Sequence, residues 1–167
     1  MMKNKTTLFL VQAAGIGALY TVLTLFFAPL SFGQVQVRFS EALTILPFFT
    51  PAAIPGLFVG CMLSNILGGA LPVDILFGSI ATLIGAIFTY KLRGNKFLAP
   101  IPPIVANTVI IPFVLRLGYG ILLPIPLLML TIAVGEILSC GVLGMVLLHA
   151  LFKYKTVIFG NYSTSAR

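Results

Sequence analysis

The sequence predicts an all-α integral membrane protein: a six-helix transmembrane bundle with a short second helix, formed by residues 1–167 as a single transmembrane domain. Three observations carry this. Charged residues are 8% of the chain and hydrophobic ones 59%, whereas a soluble domain carries roughly 25% charged residues. Several apolar runs approach the ~20 residues that cross a bilayer as helix. Proline and glycine breakers separate those runs at intervals that leave no room for a soluble domain.

The first span is expected over residues 7–29. Its basic start resembles a signal peptide, but its apolar run exceeds the ~7–15 residues of such a leader, so it is read as retained. The second, 39–50, follows the polar stretch 33–38. Twelve helical residues reach only ~18 Å, so this segment is a half-span or begins earlier. A short, proline-bounded segment is tolerated only where protein covers it or it lines a cavity. The third span, 52–69, is entered through Pro51 and Pro55, and the fourth, 73–92, follows the Gly68-Gly69 turn. The fifth, 98–117, has Pro100, Pro102 and Pro103 in its first turn and Pro112 as an expected kink. The sixth, 124–153, is long enough to span with tilt.

Basic residues orient the bundle. Six spans put Lys3, Lys5, Lys91, Arg93, Lys96, Lys153, Lys155 and Arg167 on one side and only Arg38 and Arg116 on the other. Eight against two places both termini in the cytoplasm. The formal charge of +7 therefore reads as topogenic, and no basic-aromatic patch points to nucleic acid.

The chain has only three carboxylates, Glu41, Asp74 and Glu136, each within or beside an apolar segment. An ionised group at bilayer depth costs about 2.5–3.5 kcal/mol on insertion scales, so such groups pair, line a cavity or hold a ligand. Arg38 and Glu41 stand at i, i+3, where a local ion pair is the plain reading. Asp74 follows Pro72 at a helix start and suits capping. Glu136 is mid-helix without a basic residue at i±3 or i±4 and needs a partner from elsewhere. Asn65 and Asn107 serve as interhelical hydrogen-bond glue or as ligand contacts. Arg38, Glu41, Asn65, Asp74, Asn107 and Glu136 all map to the outer half of the bundle, as expected for a site loaded from outside.

Small residues form a second pattern. Ala14 and Ala18 give the first span a smooth face at four-residue spacing, beside Ala13 and Gly17, as do Gly56 and Gly60 on the third and Gly135 and Ser139 on the sixth. The latter two faces read as packing within the bundle. On the first, whose other faces carry bulky Leu8, Leu10, Val11, Tyr20 and Phe26, a partner protein competes with that reading. Cys61 and Cys140 read as buried small hydrophobes, since no second Cys or His stands at ligand spacing, and His149 as a satisfied or interfacial histidine. No metal or cofactor is expected. Walker A, Gly-rich dinucleotide, HExxH and GxSxG motifs are absent from the sequence, which leaves a facilitator, an ion-coupled carrier, a channel or the binding subunit of a larger machine.

The run Gln36-Val37-Arg38-Phe39-Ser40-Glu41-Ala42-Leu43-Thr44-Ile45-Leu46-Pro47, together with Gly56-Leu57, Gly60, Ser64-Asn65, Asp74 and Gly135-Glu136, resembles the queuosine-precursor transporter family (QueT). These are S components, the substrate-binding subunits, of energy-coupling factor (ECF) transporters. The resemblance covers essentially the whole chain. It implies a non-enzymatic subunit of a bacterial cell membrane that captures a vitamin-like solute, here a deazapurine, from outside. The implied partners are a membrane coupling protein and two cytoplasmic ATPases; the S component topples in the membrane, and ATP hydrolysis drives release and reset. In that class small residues on the first helix face the coupling protein, which fits Ala14 and Ala18. Outer loops close over the solute, with residues 28–37 and 118–123 as candidates here. For a 7-deazaguanine, Glu136 suits the ring edge, an Asn the carbonyl, and Phe32, Phe39 or Tyr119 the ring faces. Glu41 or Asp74 would meet an aminomethyl ammonium or form a gating ion pair. An S component for another small nutrient, or a stand-alone channel or carrier, is the alternative.

Overall fold

The computed structural model describes residues 2–31 and 37–159. Phe32, the middle of the first outer loop and Arg167 of the charge count lie outside them. Every regular element among the described residues is helical: α1 (Met2–Phe26), a short α2 (Ala28–Ser31), a 3-10 helix (Phe39–Phe48), α3 (Ala53–Leu67), α4 (Pro72–Lys91), α5 (Ile101–Leu117), α6 (Ile125–Glu136), a π-helical stretch (Ile137–Leu143), α7 (Gly144–Phe152) and α8 (Lys155–Phe159).

Three helical runs are long and apolar enough to cross a membrane: Lys5–Phe26, Pro72–Lys91, and Ile125–Phe152 taken through the π-helical stretch. The shorter apolar helices Phe39–Phe48, Ala53–Leu67 and Ile101–Leu117 occupy the places expected for the second, third and fifth spans. Large apolar side chains face outward along the long runs, among them Leu10, Val22, Leu76, Phe88, Leu130 and Val146. Only 22% of the most apolar window of α1 is buried within the protein. A helix that apolar and that bare belongs in lipid rather than water.

The second segment departs from expectation in kind. It is a 3-10 helix rather than an α-helix, and it does not begin earlier, because Arg38 before it is extended (φ −95°, ψ 104°). Ten residues is long for this geometry. It survives because it is the centre of the molecule: eight of its ten residues are buried, and it touches α1, α3, α4, α7 and the π-helical stretch. Its C-terminal end closes on an aromatic cluster in which Phe49 stacks on Phe159, with ring centroids 5.1 Å apart. The expected sixth helix is likewise not uniform, passing from α through π to α. Pro112 sits inside a continuous α5.

Around this centre the helices pack in chain order, α1 on α3, α3 on α4, α4 on α5 and α5 on α6. The α1–α3 crossing depends on glycine. A Cβ on Gly56 would lie 2.6 Å from the Ala13 carbonyl oxygen, and one on Gly60 2.8 Å from that of Gly17 and 2.9 Å from the Tyr20 Cβ. Thr21 Oγ1 uses the proximity, donating to the Gly17 and Gly60 carbonyls at 2.9 and 3.2 Å. Gly85 does the same for α4 on α5, its Cβ position falling 2.7 Å from the Pro103 Cα. The α3–α4 turn needs Gly69 at φ +73°, a region that only glycine enters freely.

Gly56→Val and Gly60→Val should each lower stability by about 1–3 kcal/mol through overpacking, read as an earlier thermal transition in detergent. Gly15→Ala, with nothing within 4 Å of its Cβ position, should leave the transition unchanged or raise it, since alanine favours a helix interior.

Candidate functional site

The 3-10 geometry decides where the first acid points. At three residues per turn, positions i and i+3 eclipse, so Glu41 and Thr44 form one polar edge, with Arg38 just before it. All three are buried, Glu41 to 1% exposure. Tyr20 of α1 donates its hydroxyl to Glu41 Oε1, and one turn on Thr24 donates to Ser40 Oγ at 2.6 Å. Thr44 Oγ1 caps the Glu41 carbonyl at 2.6 Å. The glycines that let α1 approach α3 thus also bring Tyr20 to the acid.

Glu136 arrives from the opposite side at the end of α6. Cys140, one turn along in the π-helical stretch, donates to Glu136 Oε2 at 3.1 Å and to the Glu41 carbonyl at 3.4 Å. Asn107 of α5 lies within reach of the same carboxyl. One carboxylate oxygen each from Glu41 and Glu136 and the Cys140 sulfur all lie within 4.8 Å of one another, a spacing that suits a cation. Two acids from distant parts of the sequence therefore form a pair.

Arg38, Asp74 and Tyr119 make a second group. Arg38 Nη2 is 4.0 Å from Asp74 Oδ2, and the Tyr119 hydroxyl donates to that oxygen at 3.0 Å while accepting from the Leu71 N–H at 3.2 Å. The start of α4 has no side-chain cap, so Asp74 is held across the fold instead of capping its own helix. Arg116 Nη1 donates to the Leu123 carbonyl at 3.0 Å, bracing the Tyr119 loop. Partial burial, with Asp74 beside it, raises the Tyr119 phenol above the usual tyrosine value, so it remains a proton donor at neutral pH.

Asn65 of α3 joins the second group. It is fully buried, and its amide nitrogen is 3.5 Å from the Asp74 carbonyl and 3.7 Å from Cys61 Sγ. Gly78 makes the room, since a Cβ there would fall 3.1 Å from Asp74 Oδ1 and 3.2 Å from Asn65 Nδ2. Three buried oxygens, Glu41 Oε2, Asn65 Oδ1 and Asp74 Oδ1, accept no hydrogen bond. Buried acceptors of this kind cost about 1–3 kcal/mol each, and a ligand rich in N–H groups would satisfy them.

Six of the seven candidate residues, Arg38, Glu41, Asn65, Asp74, Asn107 and Glu136, are therefore buried polar groups in two neighbouring clusters. The seventh, Phe39, is half-buried and packs on Phe27 with ring centroids 4.3 Å apart. Ala14 and Ala18 are exposed and line an open apolar groove of about 420 Å³ between α1 and α3, with Pro55 and Val59 opposite. His149 is exposed, its Nδ1 2.8 Å from the Met145 carbonyl. Sequence reasoning missed Tyr20, counted among the bulky outward residues of α1, and Cys140, taken as an inert hydrophobe. The spacing of Gly17, Tyr20 and Thr24 on one helical face was the available signal.

A helical bundle bare and apolar outside, with acids and amides gathered inside, is the form of a membrane protein that binds a polar solute. The model of the family described as QueT transporter matches residues 10–153, and the chain belongs to that family. It is also similar to the queuosine precursor transporter QueT of Lactococcus lactis subsp. cremoris (strain MG1363), 36% identical over 85 residues. That stretch covers 50% of this chain and 50% of the relative, so the match spans about half the length of each. No solved structure matches the chain.

Tyr20→Phe removes the donor from Glu41 Oε1 and should cost about 1–3 kcal/mol, seen as a lowered thermal transition. Leu19→Phe, at an exposed position on the same helix, should leave the transition in place.

Proposed function

We propose that the chain is the substrate-binding membrane subunit, the S component, of an ATP-driven ECF importer, and that it captures a queuosine precursor of the 7-deazaguanine type from outside the cell. The family match over residues 10–153 carries this reading, and the name of the Lactococcus relative supports the substrate. The six apolar segments form a multi-pass protein of the bacterial cytoplasmic membrane, with both termini inside by the asymmetry of Lys and Arg.

In this reading the two polar clusters are the binding site. Glu136 accepts paired N–H groups from the ring edge, with Asn107 beside it to serve the ring carbonyl. Asn65 and Glu41 complete the polar lining, and Phe39 offers an aromatic face. Arg38, Asp74 and Tyr119 tie the start of the 3-10 helix, the start of α4 and the loop after α5 together at the outer mouth, where a solute must pass. The groove bearing Ala14 and Ala18 receives the membrane coupling protein, because small residues there let another helix approach closely. Two cytoplasmic ATPases supply the energy.

Purified protein should gain thermal stability with one or more 7-deazaguanines and not with guanine or a vitamin panel, and Glu136→Gln should abolish that gain. Stabilisation by a vitamin instead would keep the import role and replace the substrate; no response to any compound would favour a stand-alone channel or carrier. A tagged chain should also bring down two ATPases and a membrane partner. Ala14→Leu with Ala18→Leu should lose them while ligand binding persists.

A further inference from the structure

The Glu41–Glu136 pair asks for more than a neutral ligand. The two carboxyls come from different elements, and with Cys140 their ligating atoms lie within 4.8 Å. Glu41 is 1% exposed and Glu136 7%. Tyr20 occupies Glu41 Oε1 and Cys140 occupies Glu136 Oε2, while Glu41 Oε2, fully buried, has no hydrogen-bond partner. The other titratable or charged groups facing the pair are Cys61 of α3, Arg38 before the 3-10 helix and, beyond it, Asp74 of α4. The guanidinium of Arg38 is shared with Asp74 at 4.0 Å, so three carboxylates face one buried cation among the described residues. Two ionised acids this close in a low-dielectric interior do not both keep their charge; the pair retains one proton.

We propose that this pair is a cation-exchange subsite: empty, it holds one proton, and a ligand's ammonium group enters as that proton leaves to water. The total charge of the site is then the same before and after binding, which avoids leaving an uncompensated charge in the interior. The inference rests on the proposed deazaguanine function and narrows it to a precursor bearing a protonated amine, the 7-aminomethyl compound. A 7-cyano group carries no charge to displace the proton and would place a lone pair against Glu41 Oε2, an acceptor against an acceptor. Cys140, whose thiol already donates to Glu136, stays as a neutral neighbour to the exchanged pair.

Calorimetry of the full-length protein with the 7-aminomethyl and 7-cyano deazaguanines, in buffers of different ionisation enthalpy, tests this. The amine should bind at least tenfold more tightly at neutral pH and release close to one proton per molecule bound. Because the leaving proton competes with the ligand, affinity for the amine should rise with pH, by at most about tenfold per unit, until the empty pair has lost its proton, and should fall once the amine itself deprotonates. Glu41→Gln should abolish the proton release and the preference; if that variant does not fold, the proton count on the unmodified protein decides alone. Equal or tighter binding of the cyano compound, or amine binding without proton release, would overturn the subsite and leave the proposed function standing. A stoichiometric divalent metal retained by the purified protein would overturn it too, since the three ligating atoms would then be a metal site. Failure of every deazaguanine to bind would instead remove the function on which it rests.

Discussion

The rest of the fold is arranged around one constraint, the burial of Glu41 on a 3-10 helix at the centre of an apolar bundle. A carboxyl there has no water to solvate it, and a ten-residue 3-10 helix needs packing to persist. Both are met by enclosure. Tyr20 reaches the acid only because Gly17, Gly56 and Gly60 let α1 and α3 touch backbone to backbone. The carbonyl of Ala42 is approached in turn by Gly144, whose Cβ position lies 3.6 Å away. A substitution at a glycine remote from the acid therefore acts on the acid, because it sets the distance from which the hydroxyl must donate.

The bundle itself was legible in the sequence. Apolar runs, prolines and glycines placed each helical segment to within a few residues, since those signals are local and depend only on what bilayer and backbone tolerate. Polar residues in such a background are also conspicuous, which is why Arg38, Glu41, Asn65, Asp74, Asn107 and Glu136 stood out. What stayed hidden is which of them meet. Arg38 and Glu41 read as a local pair on α-helical spacing, and the structure adds ties from Arg38 to Asp74 and from Glu41 to Tyr20. That outcome depends on helix type and on tertiary contact, and neither is written in a short window of sequence. Tyr20 illustrates the same limit: an aromatic residue on an apolar helix reads as lipid-facing until a partner for its hydroxyl is known.

Helix α1 shows how one small-residue pattern can serve two surfaces. Ala13 and Gly17 stand at four-residue spacing, as do Ala14 and Ala18, one position on. The first pair turns inward, where the Ala13 and Gly17 carbonyls meet the Cβ positions of Gly56 and Gly60. The second pair is left exposed beside it, so the groove between α1 and α3 has a floor of small side chains and walls of Leu10 and Leu63. A face needed only for internal packing would not have to extend past the contact it makes. The outward alanines keep the helix thin on the side that the bundle leaves open, and this is the geometric basis of the proposal that a protein partner docks there.

The π-helical stretch follows from a pattern that the sequence does carry. Leu128, Ile132, Glu136, Cys140, Gly144 and Leu148 are all buried, at a strict spacing of four. On an α-helix of 3.6 residues per turn, each step of four drifts by about 40° around the axis. Five such steps would carry the last residue to the far side of the helix from the first. The wider turn of a π-helix drifts the other way, and Ile137–Leu143 lies in the middle of the series. It therefore holds Leu128 and Ile132, which pack with Ile111 and Leu115, on the same inner face as Leu148, which packs in the cluster of Phe48 and Phe49. Glu136 and Cys140 occupy the point where the winding changes. A π-helical segment is less stable than α and persists where function or packing requires it; here it lets one long helix serve two apolar clusters and still aim an acid and a thiol at Glu41.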